Sequence, residues 1–139
     1  MDKERIKFKQ YRSVPDIPNT LSDSTVFAIY QDPDGIVWIG SWQGGLDKLN
    51  PATGTISHYR FKAHDPRGLG SSSIREIIPC RTGGLWIGTW GGGLEHFDPV
   101  SETFTHYKHN PNISNSISSD SVNTLLEEPT GIIWIGTRL

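Results

Sequence analysis

The chain is a succession of short apolar runs separated by turns that are rich in glycine, proline and acidic residues. In the first complete unit, these runs cover residues 25–31, 36–40, 46–49 and 55–61. Some runs alternate apolar and polar residues and others are continuously apolar, and both patterns are typical of β-strands. No run shows the 3.6-residue period of an amphipathic helix. The pattern therefore predicts an all-β chain.

The same succession of runs and turns repeats at an offset of 48 residues. Residues 26–46 and 74–94 share nine identities in twenty-one positions without a gap, and residues 121–138 continue the register in a third copy. A fixed register over almost three copies indicates a repeat architecture. The recurring glycines and tryptophans, which we expect to be architectural, are Gly35, Trp38, Gly40, Gly44, Gly45, Gly83, Trp86, Gly88, Gly92, Gly93, Gly131, Trp134 and Gly136.

A repeat in the forties with four short strands per unit is typical of a β-propeller. When the strands of a blade are labelled A to D from the channel outwards, the chain is predicted to run D-ABCD-ABCD-AB, which gives eleven strands. The predicted units are an outer strand of a preceding blade at 1–12, blades at 21–60 and 69–108, and the first two strands of a third blade at 117–139. The predicted fold class is an all-β, incomplete β-propeller of about three blades.

Composition and charge exclude several classes of function. A net charge of −2 without a run of lysine or arginine gives no footprint for nucleic acid. No apolar run approaches the ~20 residues that cross a bilayer, and the first residues lack the apolar core of a signal peptide. The single cysteine, Cys80, excludes an internal disulfide. No spacing of histidine and cysteine matches a zinc pattern, so we expect neither metal nor cofactor.

The order of the motifs resembles the two-component-regulator propeller repeat. Leu21-Ser22, an apolar strand, an acidic turn with glycine, a Trp-Ile-Gly-(Ser/Thr) core and Gly-Gly-Leu follow one another in residues 21–46. Residues 69–94 repeat this order, with Cys80 and Arg81 in place of the acidic turn, and residues 117–137 carry it as far as the core. The resemblance implies the periplasmic or extracytoplasmic sensor region of a bacterial membrane-bound regulator, ahead of a histidine kinase or diguanylate cyclase module. It also implies a small ligand, often a carbohydrate, whose binding is passed inward as a conformational signal.

The candidate binding residues lie where the repeats differ from one another. In a propeller the D–A linkers and the B–C loops emerge on one face, and loops on a rigid scaffold commonly carry binding. Trp42 and Trp90 stand beside the glycines of the B–C loops, where an exposed ring could stack on a sugar; alternatively, each ring covers its own glycine turn. Three variable polar positions on strand A either line the central channel or are simply solvated. The predicted ligand-binding residues are Trp42, Trp90, Arg138, Arg75, Glu76 and Asn123.

Three functions are compatible with this pattern, and we favour the first. It is a non-catalytic, ligand-sensing propeller that uses the loop face and the channel. The second is a protein-interaction or self-assembly scaffold. The third, a propeller lyase or hydrolase, rests on fold analogy alone, because no Gly-x-Ser-x-Gly elbow is present and paired acids such as Asp32 and Asp34 lie in turns.

Closed rings of this kind need four to eight blades, and the chain supplies fewer than three. Either it is a piece of a longer sensor or several copies complete a ring. A strand B without a strand C beside it is an open edge, which invites pairing with another chain. We therefore predict self-association through the open blade edges.

Overall fold

A computed structural model describes residues 8–139 as β-strands joined by turns and irregular segments. Within this part of the chain there is no helix, and hence none that could span a membrane. The ten strands are β1 (Val26–Gln31), β2 (Val37–Ser41), β3 (Leu46–Asn50), β4 (Thr55–Tyr59), β5 (Ile74–Pro79), β6 (Leu85–Thr89), β7 (Leu94–Asp98), β8 (Thr103–Tyr107), β9 (Ser121–Glu127) and β10 (Ile133–Arg138).

The strands form three antiparallel sheets in which each strand pairs with its neighbour in sequence. Strands β1–β4 form blade 1, β5–β8 form blade 2, and β9 and β10 form the two-stranded blade 3. Equivalent strands share one register: Trp38 of β2 faces Lys48 of β3, and Trp86 of β6 faces His96 of β7. The predicted all-β, propeller-type fold is confirmed, and the strand ends lie within two residues of their predicted positions.

The predicted strand at the N-terminus is not formed by residues 8–12, and the remainder of that prediction, residues 1–7, lies outside the described part of the chain. In blades 1 and 2, strand D pairs only with strand C, and no described strand C precedes residue 8. Tyr11 packs instead on the face of blade 1 that Ile39, Leu49 and Ile56 form. This segment therefore covers blade 1 without pairing to it.

The turns between strands A and B show how the repeat tolerates a lost side chain. In blade 1, the Asp32 carboxylate accepts hydrogen bonds from the backbone N–H groups of Asp34 and Ile36 at 2.9 and 3.0 Å. Gly35, with a φ of 86°, donates its N–H to the Asp32 carbonyl. Blade 2 has Cys80 in place of the acid but keeps the backbone bond from glycine to position 80. The turn therefore survives because a glycine accepts the positive φ.

The main core lies between blades 1 and 2. Trp38 is only 2% exposed, and its ring meets Phe97 of blade 2 edge-on at a centroid distance of 5.4 Å, an arrangement that aromatic rings favour. Gly40 faces strand A of blade 2 so closely that an added Cβ would lie 2.3 Å from the Cγ2 atom of Ile74. The glycine of the Trp-Ile-Gly core is thus the position that admits the next blade.

Blade 3 packs on blade 2 through a smaller cluster built around Leu94, Val122 and Leu125. Trp134 is the equivalent of Trp38 but is 59% exposed, because no described blade lies against it. Ile29 on the opposite side of blade 1 is likewise exposed, whereas its equivalent in blade 2, Ile77, is buried against blade 1. The repeat therefore buries these positions only where a neighbouring blade is present.

Candidate functional site

Each strand A contains a β-bulge near its first residue. The pairing of β1 with β2 skips Phe27, that of β5 with β6 skips Arg75, and that of β9 with β10 skips Asn123. A bulged residue leaves the hydrogen-bond ladder, and bulges commonly redirect a side chain at a functional site. The three positions are equivalent in the repeat. The bulge is therefore a constant feature of the blade, while the side chain that it presents changes.

The residue at the end of strand B lies beside the start of strand A in each blade. The N–H groups of Trp42 and Trp90 donate to the carbonyls of Thr25 and Ser73, both at 3.0 Å, and Arg138 pairs with Ser121. Two variable positions per blade thus meet at one end of the sheets. We call the resulting set the tip cluster, which consists of Phe27, Trp42, Arg75, Trp90, Asn123 and Arg138.

The tip cluster is continuous across the three blades. Trp42 meets the ring of Phe27 at 5.8 Å and that of Trp90 at 5.3 Å, both nearly perpendicular. The Arg75 guanidinium lies 4.2 Å from the ring centroid of Phe27 and 4.5 Å from that of Trp90. The Arg138 guanidinium approaches the same Trp90 ring at 5.0 Å. Cation–π and edge-to-face contacts therefore order these side chains on the surface.

Polar contacts extend the cluster onto blade 3. The Trp90 Nε1–H donates to the Asn123 Oδ1 at 2.7 Å. Glu76 points elsewhere: its Oε2 accepts a hydrogen bond from the Thr124 hydroxyl at 3.4 Å. Of the six predicted binding residues, the structure thus brings five together and leaves Glu76 beside them. Phe27 was not predicted, although its offset of 48 residues from Arg75 marks it as the equivalent variable position.

The loops beneath the rings are held by hydroxyl groups. The Ser41 Oγ accepts from the Gly44 N–H at 3.0 Å, and the Thr89 Oγ1 accepts from the Gly92 N–H at 3.1 Å. The Ser71 hydroxyl donates to the Trp90 carbonyl at 2.6 Å. The B–C loops are therefore fixed by buried hydroxyls, and the indole rings contact neighbouring blades in addition to covering their own turns.

A buried carboxylate in strand C ties the D–A linker to strand D, which the sequence interpretation missed. In blade 1, Asp47 is 1% exposed. Its two oxygens accept from the Ser22 N–H at 2.7 Å and the Ser22 hydroxyl at 2.5 Å, and His58 Nδ1 lies 2.7 Å from Oδ1. Buried charges are normally paired in this way. We call this arrangement the linker latch.

Blade 2 builds the linker latch from different residues. Glu95 is fully buried; its Oε1 accepts from the Gly70 N–H at 2.7 Å and contacts His106 Nδ1, while Oε2 has no hydrogen-bond partner. Burial raises the pKa of Glu95 to about 7, against smaller lowering effects of His106 and the Gly70 N–H. An added Cβ on Gly70 would lie 2.5 Å from Oε1. The longer acid therefore needs a glycine where the shorter one accepts a serine.

The latch of blade 1 has the residue types of a hydrolytic triad but not its geometry. In such a triad, histidine bridges the nucleophile and the acid through its two different ring nitrogens. Here a single nitrogen, His58 Nδ1, faces both the Ser22 hydroxyl and Asp47, at 2.7 Å each. The Ser22 hydroxyl also lies directly against the carboxylate. These three side chains form a closed hydrogen-bonded cluster, and the structure gives them a fastening role.

A second signal in the sequence, the equivalent positions of the turn acids, explains the tryptophan N–H groups. Trp38 Nε1 donates to Asp32 at 3.0 Å, and Trp134 Nε1 donates to the equivalent acid, Glu128, at 2.7 Å. Blade 2 has Cys80 there, and Trp86 Nε1 lies 3.3 Å from Glu127 of blade 3 instead. The neighbouring blade thus supplies the acceptor that blade 2 lacks.

Other features of the described residues offer less chemistry than the tip cluster. Within residues 8–139, no group of three or more histidine, cysteine, aspartate or glutamate side chains is arranged to hold a metal ion. A groove of about 410 Å³ between β5 and β9 is lined by Ile78, Leu125 and Leu126. It lies at the opposite ends of these strands from the tip cluster, and its apolar walls belong to the contact between blades 2 and 3.

Comparison with family models gives a match to the two-component regulator propeller at residues 20–43 and 116–138. These segments contain strands A and B of blades 1 and 3 with the linkers that precede them. The equivalent segment of blade 2, where Cys80 and Arg81 replace the acidic turn, is not among the matched residues. No curated protein matches the chain in sequence.

Solved structures share the fold of the chain. The extracellular domain of the hybrid two-component system BT3049 from B. thetaiotaomicron aligns over 82% of the chain with a TM-score of 0.71 and 20% identity. The extracellular domain of system BT4673 from the same organism aligns over 81% with a TM-score of 0.64 and 24% identity. PorZ, a surface component of the type-IX secretion system of Porphyromonas gingivalis, aligns over 85% with a TM-score of 0.65 and 20% identity.

The chain spans only a small part of these structures: 16%, 15% and 17% of the three aligned chains, respectively. At such identities the likeness is one of fold. The matched segments, the fixed 48-residue register and the bladed sheets agree with one another. The chain is therefore built from two-component-regulator propeller repeats and has the propeller-type fold of their sensor domains.

Proposed function

We propose that the chain is a ligand-sensing, non-catalytic part of a signal-transduction regulator and that the tip cluster receives the ligand. The observation that carries the proposal is the repeated bulge. It presents a variable side chain beside the variable end of strand B in all three blades. A constant scaffold with a variable, continuous tip is the arrangement expected of a recognition surface.

A carbohydrate is the ligand class that best suits this surface. Trp42 and Trp90 offer partly exposed indole rings on which the C–H face of a sugar ring can stack. Arg138 and Asn123 are exposed and can serve sugar hydroxyls, since a guanidinium is a multiple donor and an amide both donates and accepts. The aromatic residues are large and rigid, so that little conformational entropy is lost when they engage a ligand.

The location and the signalling role are supported by the structural neighbours. Two of them are extracellular domains of hybrid two-component systems. We propose that the present chain likewise lies outside the cytoplasm of its bacterium, as part of a longer regulator. Ligand binding across three blades would change how they pack, and a kinase or cyclase module would read that change.

Binding to a glycan array tests the proposal. The wild-type chain is expected to bind a discrete set of glycans, and Trp42→Ala and Trp90→Ala are each expected to weaken binding by about tenfold, or ~1.4 kcal/mol. Tyr107→Ala, which removes a half-exposed ring from the outermost strand of blade 2, is the matched control and should bind normally. Absence of any glycan ligand for the folded chain would contradict the proposal.

A second candidate function, assembly through the open faces, is favoured by one observation. Trp134 and Ile29 are exposed at positions whose equivalents, Trp38 and Ile77, are buried between blades 1 and 2. We propose that blade 3 of one copy can receive blade 1 of another. Light scattering should show association that Trp134→Gln weakens, whereas a monomer at all concentrations would contradict it.

A further inference from the structure

Two positive charges of the tip cluster share one aromatic ring. The guanidinium groups of Arg75 and Arg138 lie 4.5 and 5.0 Å from the centroid of Trp90. Among residues 8–139, the ion pairs are those of the two linker latches, His58 with Asp47 and His106 with Glu95. Neither arginine therefore has a described carboxylate at salt-bridge distance.

The ring does not offset these charges by itself. A cation–π contact at an exposed site contributes only about 0.5–1 kcal/mol, and two cations held on one ring repel each other. The nearest acid in sequence, Glu76, is directed towards Thr124 at the start of blade 3. No described side-chain hydrogen bond uses either guanidinium. The cluster thus holds two sets of N–H donors for which the described chain offers no acceptor.

Charge is distributed unevenly over the cluster. Blade 1 contributes Phe27 and Trp42, which are uncharged, whereas blade 2 contributes Arg75 and blade 3 contributes Arg138. The equivalent positions of the repeat thus place an apolar half next to a cationic half. A matching ligand has an uncharged sugar over Trp42 and an anionic group over Trp90.

We propose that the ligand of the tip cluster is an anionic glycan, in which a carboxylate or sulfate group is held between Arg75 and Arg138. This inference rests on the proposed sensing function and narrows it. A planar guanidinium binds such oxyanions through two parallel N–H···O bonds, and these charge-assisted bonds are stronger than those to neutral hydroxyls. The anion also removes the repulsion between the two arginines. Asn123, whose Oδ1 accepts from Trp90, keeps its amide N–H groups for a neighbouring hydroxyl.

Titration calorimetry of the full chain with matched oligosaccharides tests this inference. The probes are trigalacturonic acid, its fully methyl-esterified neutral form and a sulfated galactan trisaccharide. The two anionic probes distinguish a carboxylate site from a sulfate site. At least one anionic probe should bind about tenfold more tightly than the neutral form, with an affinity that falls as salt concentration rises.

Two variants and one control connect the result to the residues. Arg75→Gln and Arg138→Gln should each lower affinity for the anionic probe by about tenfold, the value of one lost charge-assisted contact. Arg81→Gln makes the same change in net charge at an exposed turn at the opposite end of β5 and should leave affinity unchanged. Circular dichroism confirms that each variant is folded.

The outcomes separate the two proposals. If the neutral form binds as tightly as the acids and Trp90→Ala removes that binding, the sensing function stands and the anionic class is wrong. If the arginine variants behave like Arg81→Gln, the anionic class is equally wrong. If neither these probes nor any array glycan binds, both proposals fail.

Discussion

Blades 1 and 2 are made of equivalent residues, yet they solve the same structural problems with different side chains. Blade 1 fastens its linker with Ser22 and Asp47, and blade 2 does so with Gly70 and Glu95. These differences compensate one another, because a longer acid accompanies a smaller partner. At the tip, by contrast, Phe27 becomes Arg75 with no compensating change beneath it. Compensated differences mark structure, and uncompensated ones mark recognition.

The largest expected effect comes from pH acting on the latch of blade 2. Burial raises the pKa of Glu95 from 4.5 to about 7, so between these values the folded state keeps a proton that the unfolded state has lost. Stability should therefore fall as pH rises from about 4.5 to about 7 and then level off, by at most about 3 kcal/mol.

Glu95→Gln removes this titration and leaves a neutral group of the same shape. Denaturant unfolding at several pH values should show the variant gaining stability relative to wild type across that window. A constant difference between the two proteins at all pH values would contradict the assignment.

Exchanging latch parts should break blade 2 and then mend it. Gly70→Ser places a Cβ against Glu95 and should cost about 2 kcal/mol through overpacking. Adding Glu95→Asp recreates the pair found in blade 1 and should recover at least half of that loss. Strictly additive costs in this double-mutant cycle would show that the two positions are independent.

The control for this cycle is Ser22→Gly in blade 1. It removes the hydroxyl that faces Asp47 and His58 but makes no steric contact. We expect a loss of about 1 kcal/mol in thermal or chemical unfolding, the usual worth of one hydrogen bond.

A smaller effect should follow from the borrowed acceptor of blade 2. Glu127→Ala removes the partner of Trp86 Nε1 and of the Arg81 N–H and should cost about 1 kcal/mol. Cys80→Asp provides blade 2 with its own acid, as Asp32 does in blade 1, and should reduce that cost. An equal loss in both backgrounds, measured by urea unfolding, would argue against this replacement.

How far the sequence predicted this structure depends on what repeats. The 48-residue register placed the blades and strand order, because periodic apolar runs and turn glycines are local signals. The strand predicted before residue 12 failed over residues 8–12, since pairing needs a strand C that no local pattern reveals. The linker latches were missed because Asp47 and His58 are distant in sequence, although each has an equivalent 48 residues later.

The candidate site was predicted in part. Trp42, Trp90 and Arg75 were identified as variable positions, and the structure places them in contact. The bulge that directs Arg75 out of the ladder has no signature in a single sequence, because it arises from how two strands pair. Phe27 was overlooked for the same reason, since an aromatic residue on a strand is normally assigned to the core.

The most direct test of the account compares binding and stability in one variant, Trp90→Ala. Trp90 is the ring that contacts Trp42, Arg75 and Arg138, while its loop is fixed by Thr89. The account predicts a loss of glycan affinity of about tenfold and a loss of unfolding free energy below about 1 kcal/mol. Retained affinity together with a large loss of stability would show that the tip cluster is structural, and it would contradict the account.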